Sequence, residues 1–576
     1  MEKSKLIEEM FEKGILVSKE MLGQEVDQRT IGQIQAEGDL LVLNQDYSEI
    51  LNKQTSLVDW YEIDKMKVAA EKDRDDDLYQ NQLQNFRKVN ITLNTSTTTQ
   101  TISQTQEHSS LEVELNSEST STLFSVQSLP SSNEEQTSAM EISSNLNSTY
   151  YNNLNLTFPV TIVVSYENKP HKYEIKDFTN IFLTRYRFLE KILRGRHELI
   201  ETLTSISRVL IKKEKETVSI IGIVESISET KNGNLMLSIE DPTGKINVLV
   251  SKNNPDLLSE AKELVEDEII GVSGMCGDKI VFIDKIIWPD IPAANEIKKG
   301  PDEIYTIFLS DIHVGSKMFL REEFGRFLHW IRGESGNEAQ KEAAAKVKYI
   351  FIAGDLVDGV GIYPSQEEEL EIKGIHEQYV EFCRLISQIP TDKKIIISPG
   401  NHDVVHLAEP QPAFYKEYSP QLFDLPNVTL VTNPSIINIA KTDTFEGFDV
   451  LMYHGYSFDY YINNVEAIRN NGGYHRADLV MKFLLKRRHL APSFASTPYF
   501  PAHAEDPLLI KKIPDFFVSG HIHYSKVANY KGITMISGSC WQGKTSFQEK
   551  MGHEPEPARV PLVNLKTREV KVLKFI

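Results

Sequence analysis

Five short apolar runs in the second half of the chain each stop at an acidic, amide or imidazole side chain. The runs read IYTIFLS, YIFIAG, KIIISPG, FDVLMY and DFFVSG. Continuous apolar runs of this length, bounded by glycine and polar residues, are typical of buried strands. Amphipathic stretches such as residues 375–386 lie between them and are typical of helices. Residues 303–576 are therefore predicted to form an α/β domain, in which functional groups collect where the strands end.

A second pattern, of alternating apolar and polar positions, fills residues 216–292. It predicts five short strands separated by turn signals, with a helical stretch at 255–264 between the third and fourth strands. This order is typical of the OB-fold, a small five-stranded barrel. Aromatic side chains for base stacking are scarce, and Phe282 and Trp288 are the main candidates. A barrel that docks a partner and a barrel that grips DNA therefore both remain open.

The first part of the chain has weaker patterns. Apolar residues recur at helical spacing in residues 1–72, which predicts a small helical module. Residues 73–158 are rich in Ser, Thr and Asn and have no period. Such a segment cannot bury enough apolar surface to offset its ordering entropy, so a disordered linker is predicted there. Residues 159–215 are predicted to form a strand, VTIVVSY, and a helix capped by Asp177, connecting the linker to the barrel.

Two helical segments carry clusters of basic residues. The helix in residues 159–215 holds five of them: Arg185, Arg187, Lys191, Arg194 and Arg196. Residues 476–493 form a second helix with a basic end, KRRH. A solvated face is the ordinary interpretation of such clusters, and contact with DNA or with a partner protein is the alternative. The strand-like C-terminus EVKVLKFI is expected to complete the sheet rather than to bind a sliding clamp.

Length and composition limit the class of protein. A chain of 576 residues is too long for a single core and suggests about three domains. Three widely spaced cysteines exclude a disulfide framework and a cysteine-built zinc site. No apolar run is long enough to span a bilayer, and the N-terminus lacks the apolar core of a signal peptide, so a cytoplasmic protein without membrane contact is expected. The net charge of -20 argues against a protein that coats nucleic acid by itself, but bound metal ions or a partner leave a nuclease possible.

The polar residues at the strand ends are of the types that hold divalent metal ions. The candidate ligands are Asp311, His313, Asp355, Asn401, His454, His521 and His523. A carboxylate has two oxygens, so Asp355 is placed to bridge two cations. Asp311, His313 and His523 would complete one site, and Asn401, His454 and His521 would complete the other. Two cations held in this way can activate a water and stabilise an in-line displacement at phosphorus.

Three glycines and one further histidine complete the pattern. Gly354, Gly400 and Gly520 each precede a candidate ligand, where glycine permits sharp turns and close approach of the backbone. His402 adjoins a ligand without being needed as one, and we predict a catalytic role for it rather than simple packing. Each motif alone has an ordinary explanation, such as a surface Asp-x-His pair or a buried histidine. Their joint occurrence, in this order and at strand ends, is what predicts a functional site.

The stretches SDIHVGS, AGDLVDG, PGNHD, YHGYSFD and SGHIHYS resemble, in the same order, the motifs of calcineurin-like metallophosphoesterases. That resemblance implies a β-sandwich flanked by helices. The longer stretches GDLVDGVGIYP, GNHDVVHLAEPQP and PAHAEDPLLIKKIPDFFVSGHIHYS resemble the small subunit of archaeal family-D DNA polymerase. The order of N-terminal module, polar linker, OB-fold and phosphoesterase is similar as well. The resemblance extends over about residues 160–576.

This second resemblance implies a 3′–5′ exonuclease that proofreads in DNA replication for a separate large polymerase subunit. The seven candidate ligands match the metal ligands of that family, and His402 would donate a proton to the leaving 3′ oxygen. The implied cofactors are two divalent metal ions, with manganese expected and iron, zinc or magnesium as alternatives. The implied partners are the large subunit, in a heterodimer, and single-stranded or mismatched DNA 3′ ends. A sliding clamp is a further candidate partner.

Two other functions remain open at this point. A metal-dependent phosphoprotein or other phosphoester phosphatase is the alternative enzyme, although GDLVDG lacks the Arg expected after its second Asp in the phosphoprotein phosphatases. A non-catalytic scaffold that docks a polymerase is the alternative of a different class. The complete ligand set argues against it, although scaffolding and catalysis can coexist.

Overall fold

The computed structural model describes residues 16–17, 42–43, 158–166, 172–212, 215–501 and 505–576. The chain falls into two compact units, Met1–Pro130 and Ser131–Ile576. The described residues of the first unit form two short parallel strands, β1 (Leu16–Val17) and β2 (Val42–Leu43). The rest of the predicted helical module and residues 73–157 of the predicted linker lie outside the described residues.

The second unit contains the remaining strands and all of the described helices. Its strands are β3 (Val160–Val164), β4 (Thr217–Glu229), β5 (Leu235–Asp241), β6 (Gly244–Val250), β7 (Ile269–Cys276), β8 (Ile280–Ile287), β9 (Tyr305–Leu309), β10 (Val347–Ala353), β11 (Lys394–Ser398), β12 (Val428–Leu430), β13 (Ser435–Ile439), β14 (Phe448–Met452), β15 (Phe516–Ser519), β16 (Lys526–Tyr530), β17 (Ile533–Ser537), β18 (Arg559–Asn564) and β19 (Val570–Lys574). Its α-helices are α1 (Ile175–Leu193), α2 (His197–Ile200), α3 (Ile206–Leu210), α4 (Pro255–Ala261), α5 (Arg321–Ile331), α6 (Glu338–Lys346), α7 (Ile375–Ile386), α8 (Pro420–Asp424), α9 (Phe458–Asn464), α10 (Glu466–Arg469), α11 (Ala477–Arg487) and α12 (Ser546–Met551). Within the part of the chain that the structure describes, no helix is long and apolar enough to cross a membrane.

Two six-stranded sheets pack face to face and make up most of this unit. The strand order is β12-β11-β10-β9-β18-β19 in the first sheet and β16-β17-β15-β14-β13-β3 in the second. Strands β9 to β12 run parallel, and β14, β15 and β17 also run parallel to one another. Fully buried aromatic side chains from both sheets, including Phe308, Phe351, Phe448 and Phe516, fill the space between them. The predicted α/β fold is confirmed.

Successive side chains along each strand point to opposite faces of the sheet, and this explains how the sheets and helices form layers. Phe308 and Phe351 point between the sheets, whereas their neighbours Ile307 and Ile350 point outward into a cluster shared with helices α5 and α7. The outer face of the second sheet is covered in the same way by α9 and α11. Strand β19 pairs with β18 at the edge of the first sheet, so the C-terminus completes the sheet as predicted. The result is a sandwich of two sheets between two layers of helices.

The barrel is closed and has five strands, in the order β4-β5-β6-β8-β7. Helix α4 lies between β6 and β7, as predicted, but ends at Ala261 rather than at residue 264. Trp288, a predicted stacking residue, is only 4% exposed, and its indole N–H donates to Glu268 Oε2 at 2.9 Å. Trp288 is therefore part of the packing, whereas Phe282 is exposed. The five-stranded barrel is confirmed, and its assignment as an OB-fold stays a prediction.

The predicted start of helix α1 is corrected by three residues, because the N-cap is Glu174 and not Asp177. The helix begins at Ile175, before Asp177, and the Asp177 carboxylate accepts a hydrogen bond from the backbone N–H of Glu174 at 2.7 Å. Asp177 therefore closes the first turn from inside the helix. Residues 159–215 supply both strand β3, which pairs with β13, and this helix, which packs against the barrel.

The prediction of a solvated basic face is wrong for one arginine of the first cluster, whereas Arg187 and Arg194 are exposed as predicted. Arg185 is 2% exposed and donates to Asp506 Oδ2 at 2.6 Å. In the second cluster, where solvation and contact were both open, two arginines are buried, Arg487 and Arg488, and Arg487 Nε lies 2.8 Å from Glu268 Oε2. Arg185 and Arg487 join the barrel and its flanking helix to the sandwich through buried ion pairs. Arg488 instead donates to two backbone carbonyl oxygens. These three arginines are not available to DNA.

Candidate metal centre

The candidate ligands lie just past the ends of buried strands. Asp311 and Asp355 follow the neighbouring parallel strands β9 and β10, and Asn401 follows β11. His454 and His521 follow β14 and β15, which are neighbours in the second sheet. The backbone N–H of His521 donates to both carboxylate oxygens of Asp311, at 3.0 and 3.1 Å. This contact joins the strand ends of the two sheets at one edge of the sandwich.

One group of ligands is formed by Asp311, His313 and His523. The two imidazole Nε2 atoms of His313 and His523 are 3.0 Å apart, and His523 Nε2 is 3.4 Å from Asp311 Oδ1. One ligand atom from each of the three residues lies within 4.8 Å of the other two. Asp355 borders this group, since its Oδ2 is 3.9 Å from His313 Nε2. All four side chains are buried or nearly so.

A second group gathers on the other side of Asp355. His454 Nε2 lies 3.3 Å from Asp355 Oδ2 and 3.0 Å from Asn401 Oδ1. His521 Nδ1 lies 2.9 Å from the same Asn401 oxygen. The structure therefore brings together all seven predicted ligands, with Asp355 between the two groups.

The hydrogen bonds of the two histidines in the second group show which ring nitrogens face the centre. His454 Nδ1 donates to a backbone carbonyl oxygen at 2.7 Å, so its Nε2 is the nitrogen that faces Asn401 and Asp355. His521 Nε2 lies 2.9 Å from Asp459 Oδ2, so its Nδ1 is the nitrogen that faces Asn401. The charge of Asp355 outweighs burial and raises the pKa of His454 to about 10, so a proton on this ring balances the carboxylate. A divalent cation would take the place of that proton, and imidazole, amide and carboxylate donors suit it.

The three glycines allow the loops to close around these side chains. A Cβ atom at Gly400 would overlap Asp355, lying 2.6 Å from its backbone nitrogen, and would lie 2.8 Å from His454 Cε1. At Gly520 it would lie 2.5 Å from Asp311 Oδ2. Ordinary carbon contacts are 3.4 Å or longer, so any larger residue would displace a candidate ligand.

Five candidate ligands have left-handed backbone conformations, which L-residues rarely adopt. Their φ angles are 51° for Asp311, 53° for His313, 53° for Asp355, 69° for His521 and 57° for His523. Such conformations persist only where the surrounding structure imposes them, and they are concentrated at functional sites. Here each one turns a side chain from the end of a strand back toward the cluster.

Sequence reasoning missed the residues that orient the ligands. Asp358 Oδ1 lies 3.2 Å from His313 Nδ1 and accepts a hydrogen bond from Gln542 Nε2 at 2.7 Å. Asp459 Oδ2 accepts a hydrogen bond from His521 Nε2, and Gln548 Nε2 lies 2.9 Å from His523 Nδ1. Partners of this kind fix the ring orientation and basicity of ligating histidines. Asp358 and Asp459 stand inside the AGDLVDG and YHGYSFD motifs, whereas the two glutamines carried no signal in the sequence.

Asp403 fixes the loop that carries Asn401 and His402. Its carboxyl group accepts hydrogen bonds from the backbone N–H of Gly400 at 2.9 Å and from the Tyr379 hydroxyl at 3.1 Å. Burial, reinforced by the negative charge of Asp355, raises the pKa of Asp403 to about 7. Asp403 is thus a positioning residue rather than a ligand, which explains an acidic residue at the end of the PGNHD motif.

His402 lies against the edge of the first group. Its backbone N–H donates to Asp355 Oδ1 at 2.8 Å, and its ring centroid is 4.6 Å from that of His313. Its Nδ1 donates to the carbonyl oxygen of Asp358 at 2.7 Å, which leaves Nε2 for other chemistry. Burial lowers the pKa of His402, while Asp355 opposes that effect.

The two central carboxylates are ionised despite their burial. Burial raises the pKa of Asp355, but the neighbouring His454 and His402 outweigh it, and the resulting pKa lies well below the ordinary value. The pKa of Asp311 is also lowered, because His523 outweighs the effect of burial. A pair of buried carboxylates kept in the charged form is a suitable environment for divalent cations.

Comparison with known proteins gives the class to which this centre belongs. The family description "Calcineurin-like phosphoesterase" matches residues 304–525, a range that contains every candidate ligand and His402. The chain therefore contains a phosphoesterase-type hydrolase domain whose clustered side chains suit divalent metal ions.

Relatives of the chain narrow this class to one family. The chain is 37% identical over 402 residues to the "DNA polymerase II small subunit" of Methanothermobacter thermautotrophicus, covering 70% of this chain and 80% of that protein. The proteins of the same name from Archaeoglobus fulgidus (39% over 386 residues, 67% and 74% covered) and Pyrococcus furiosus (37% over 404 residues, 70% and 64% covered) are similar as well. The chain belongs to the DNA polymerase II small subunit family. The resemblance drawn from the sequence motifs is confirmed.

Proposed function

We propose that this chain is the 3′–5′ exonuclease of a DNA polymerase. It hydrolyses the last phosphodiester of a DNA 3′ end and releases a nucleoside monophosphate. The observation that carries this proposal is the convergence of acceptor atoms on both sides of Asp355, with His402 beside them. Phosphoester hydrolysis is the chemistry of the class, and a primer end is the phosphoester that a polymerase subunit meets.

The proposed division of the metal ligands follows the two groups. Asp311, His313 and His523 would hold one divalent cation. Asn401, His454 and His521 would hold the other, and Asp355 would contribute to both. When bound, such cations would lower the pKa of a coordinated water and neutralise negative charge on the phosphoryl oxygens. We propose manganese, with iron, zinc or magnesium as alternatives, because imidazole and carboxylate ligands admit all of them.

The proposed role of His402 follows from its hydrogen bonds. Its Nδ1 proton is held by the carbonyl oxygen of Asp358, so Nε2 is the nitrogen that can pass a proton to the leaving 3′ oxygen. Burial lowers the pKa of His402 although the carboxylate of Asp355 opposes this effect, so the protonated ring is a stronger acid than a free imidazole. Asp358 therefore acts as a positioning residue for both His313 and His402.

Frayed, single-stranded or mismatched ends are the proposed substrates. A paired terminal nucleotide must first leave the stack before its phosphodiester can reach a centre built at the strand ends. The cost of unpairing is lowest at a mismatch, which gives the reaction its proofreading preference.

The proposed assembly is a heterodimer with a large polymerase subunit, as the name of the relatives indicates. In this proposal, residues 216–292 are an OB-fold domain, residues 303–576 are the phosphoesterase domain, and residues 159–215 connect them to the N-terminal part. The net charge of -20 fits a subunit that relies on its partner for much of the DNA contact. A sliding clamp is a further candidate partner.

The test is a gel assay of the purified chain, with manganese or with chelator, on a 5′-labelled primer carrying a mismatched 3′ end. Asp355→Ala is expected to abolish shortening, because both groups lose a shared ligand. His402→Ala is expected to keep its metal but to cleave roughly 100- to 10,000-fold more slowly, the usual contribution of a general acid. Asp392→Ala, at an exposed carboxylate paired with Lys348, is the matched control and should behave as the unaltered chain.

Normal turnover in both site variants would contradict the assignment. Metal-dependent release of phosphate from a phosphopeptide, without cleavage of DNA, would favour the phosphatase alternative. Tight binding to the large subunit with no cleavage of any phosphoester, even in the complex, would favour the non-catalytic scaffold.

A further inference from the structure

An exposed apolar surface borders the proposed active site. It consists of Met318, Val360, Ile362, Phe547 and Met551, and is called the apolar rim below. These side chains are between 38% and 57% exposed, and a group of exposed apolar side chains, unlike a single one, commonly marks a binding surface. They come from three segments that are far apart in sequence, residues 316–319, 359–370 and 542–551.

Hydrogen bonds hold the three segments together. Ser316 forms an isolated bridge with Leu370, and Phe319 forms another with Gln542. The backbone N–H of Ser546 donates to Glu369 Oε1 at 3.1 Å. The exposed apolar residues of the rim therefore lie on one connected frame rather than on independent loops.

The same frame contacts the metal centre directly. Gln542 Nε2 donates to Asp358 Oδ1 at 2.7 Å, and Gln366 Nε2 donates to Asp358 Oδ2 at 3.0 Å. Gln548, next to Phe547 in the chain, contacts His523 at 2.9 Å. At the start of the second segment, Gly359 packs against the backbone of His402. The rim is thus attached to three residues of the proposed catalytic centre and lies beside it.

One aromatic ring in the rim is held in a fixed orientation. The rings of Tyr363 and Phe547 are stacked, with centroids 5.1 Å apart and an interplanar angle of 23°. The Tyr363 hydroxyl donates to Glu369 Oε2 at 2.9 Å, so Glu369 ties the tyrosine and helix α12 together. Tyr363 covers one face of Phe547, and Phe547 remains 39% exposed. A rigid ring with exposed surface loses little entropy on binding another flat ring.

We propose that the apolar rim binds the base of the 3′-terminal nucleotide while its phosphodiester lies at the metal centre, and that Phe547 stacks on that base. This inference rests on the proposed function and names the determinant of its preference for unpaired ends. Stacking on an aromatic ring is independent of base identity, as a proofreading site requires, because every base has a π-face. Only a base that has left the duplex can lie against the rim while its phosphodiester is at the metal centre, so the rim favours mismatched and single-stranded ends.

The test measures whether Phe547 and the terminal base act on each other. The full-length chain with manganese is given 5′-labelled single-stranded oligonucleotides that end either in thymidine or in a nucleotide lacking its base. Removal of the base is expected to lower kcat/KM for the first cleavage by roughly 5- to 100-fold in the unaltered chain. Phe547→Ala should lower it similarly on thymidine and cause little further loss on the abasic end.

Three further proteins make the result specific. Phe547→Trp should keep the preference for the base, since it keeps an aromatic face. Phe423→Ala is the matched control, because Phe423 is 41% exposed on helix α8 and belongs to none of the contacts described above. Asp355→Ala gives the background without metal chemistry. Thermal unfolding of each variant shows whether helix α12 still packs.

Equal slowing of both substrates by Phe547→Ala, or slowing of neither, would overturn the inference while leaving the exonuclease intact. The same flat result together with weaker binding to the large subunit would show that the rim docks protein rather than DNA. An unaltered chain that cleaves neither oligonucleotide, whether alone or in complex with the large subunit, would overturn the proposed function, and this inference with it.

Discussion

Replacement of Gly400 by alanine tests the geometry of the metal centre with a single methyl group. The φ angle of Gly400 does not require glycine, so the substitution brings steric conflict without backbone strain. The new Cβ would lie 2.6 Å from the backbone nitrogen of Asp355, so the two must separate by about 0.8 Å to reach an ordinary contact. A misplacement on this scale at a catalytic group costs on the order of 100-fold in rate.

Asp355 carries most of the displacement, because it lies between the two groups of ligands. We expect Gly400→Ala to lower the rate of 3′-end cleavage by about 100-fold and to weaken manganese binding in calorimetry. Overpacking should also lower the free energy of unfolding by about 1–3 kcal/mol. The matched control is Gly325→Ala in helix α5, where an added Cβ meets nothing within 4 Å. It should raise stability by about 0.5–1 kcal/mol and leave the rate unchanged.

A Gly400→Ala chain that binds manganese normally and cleaves within about threefold of the unaltered rate would refute this reasoning. It would mean that the loop relaxes without moving Asp355. The close approach of the glycine would then be a feature of packing and not a condition of catalysis.

Two further predictions concern buried charges. The buried carboxyl group of Glu409 accepts a hydrogen bond from the Tyr453 hydroxyl, and burial raises its pKa from 4.5 to about 7. The stability that this protonated carboxyl group contributes is therefore fully present below pH 4.5 and is lost as the pH rises through 7. In denaturant titration, Glu409→Gln should be up to about 3 kcal/mol more stable than the unaltered chain at pH 8 and equally stable at pH 4. The same difference in unfolding free energy at both pH values would contradict the raised pKa of Glu409. Glu268→Ala leaves the buried Arg487 without its carboxylate partner and should lower the free energy of unfolding by about 3–5 kcal/mol, and adding Arg487→Met should recover much of that loss. If the effects of the two single changes simply add in the double variant, the two side chains do not interact.

The candidate metal centre could be predicted from the sequence because its residues lie in short local motifs. Each of Asp311, Asp355, His454 and His521 directly follows an apolar run that reads as a buried strand, and parallel strands end at the same edge of a sheet. The pattern therefore gave both the residue types and their meeting place. All of these side chains do converge in the structure.

The parts that could not be predicted depend on contacts between distant segments. Arg185 meets Asp506 across more than 300 positions, and nothing near Arg185 in sequence distinguishes it from its exposed neighbour Arg187. Asp459 lies on a short helix whose position beside His521 is a result of sheet packing. The bounds of α1 and α4 were missed by three residues, because helix ends respond to capping contacts as much as to periodicity.

The left-handed conformations at the five ligand positions have a consequence for how this family can change. Each position holds a conflict between backbone and chemistry: glycine or asparagine would suit the φ angle better, yet glycine supplies no ligand and neither carries an imidazole or a carboxylate. A lineage released from catalysis would therefore gain stability by losing its ligands one at a time. The five side chains therefore hold their places at a cost in folding stability, which a function of the cluster, such as the proposed hydrolysis, would offset.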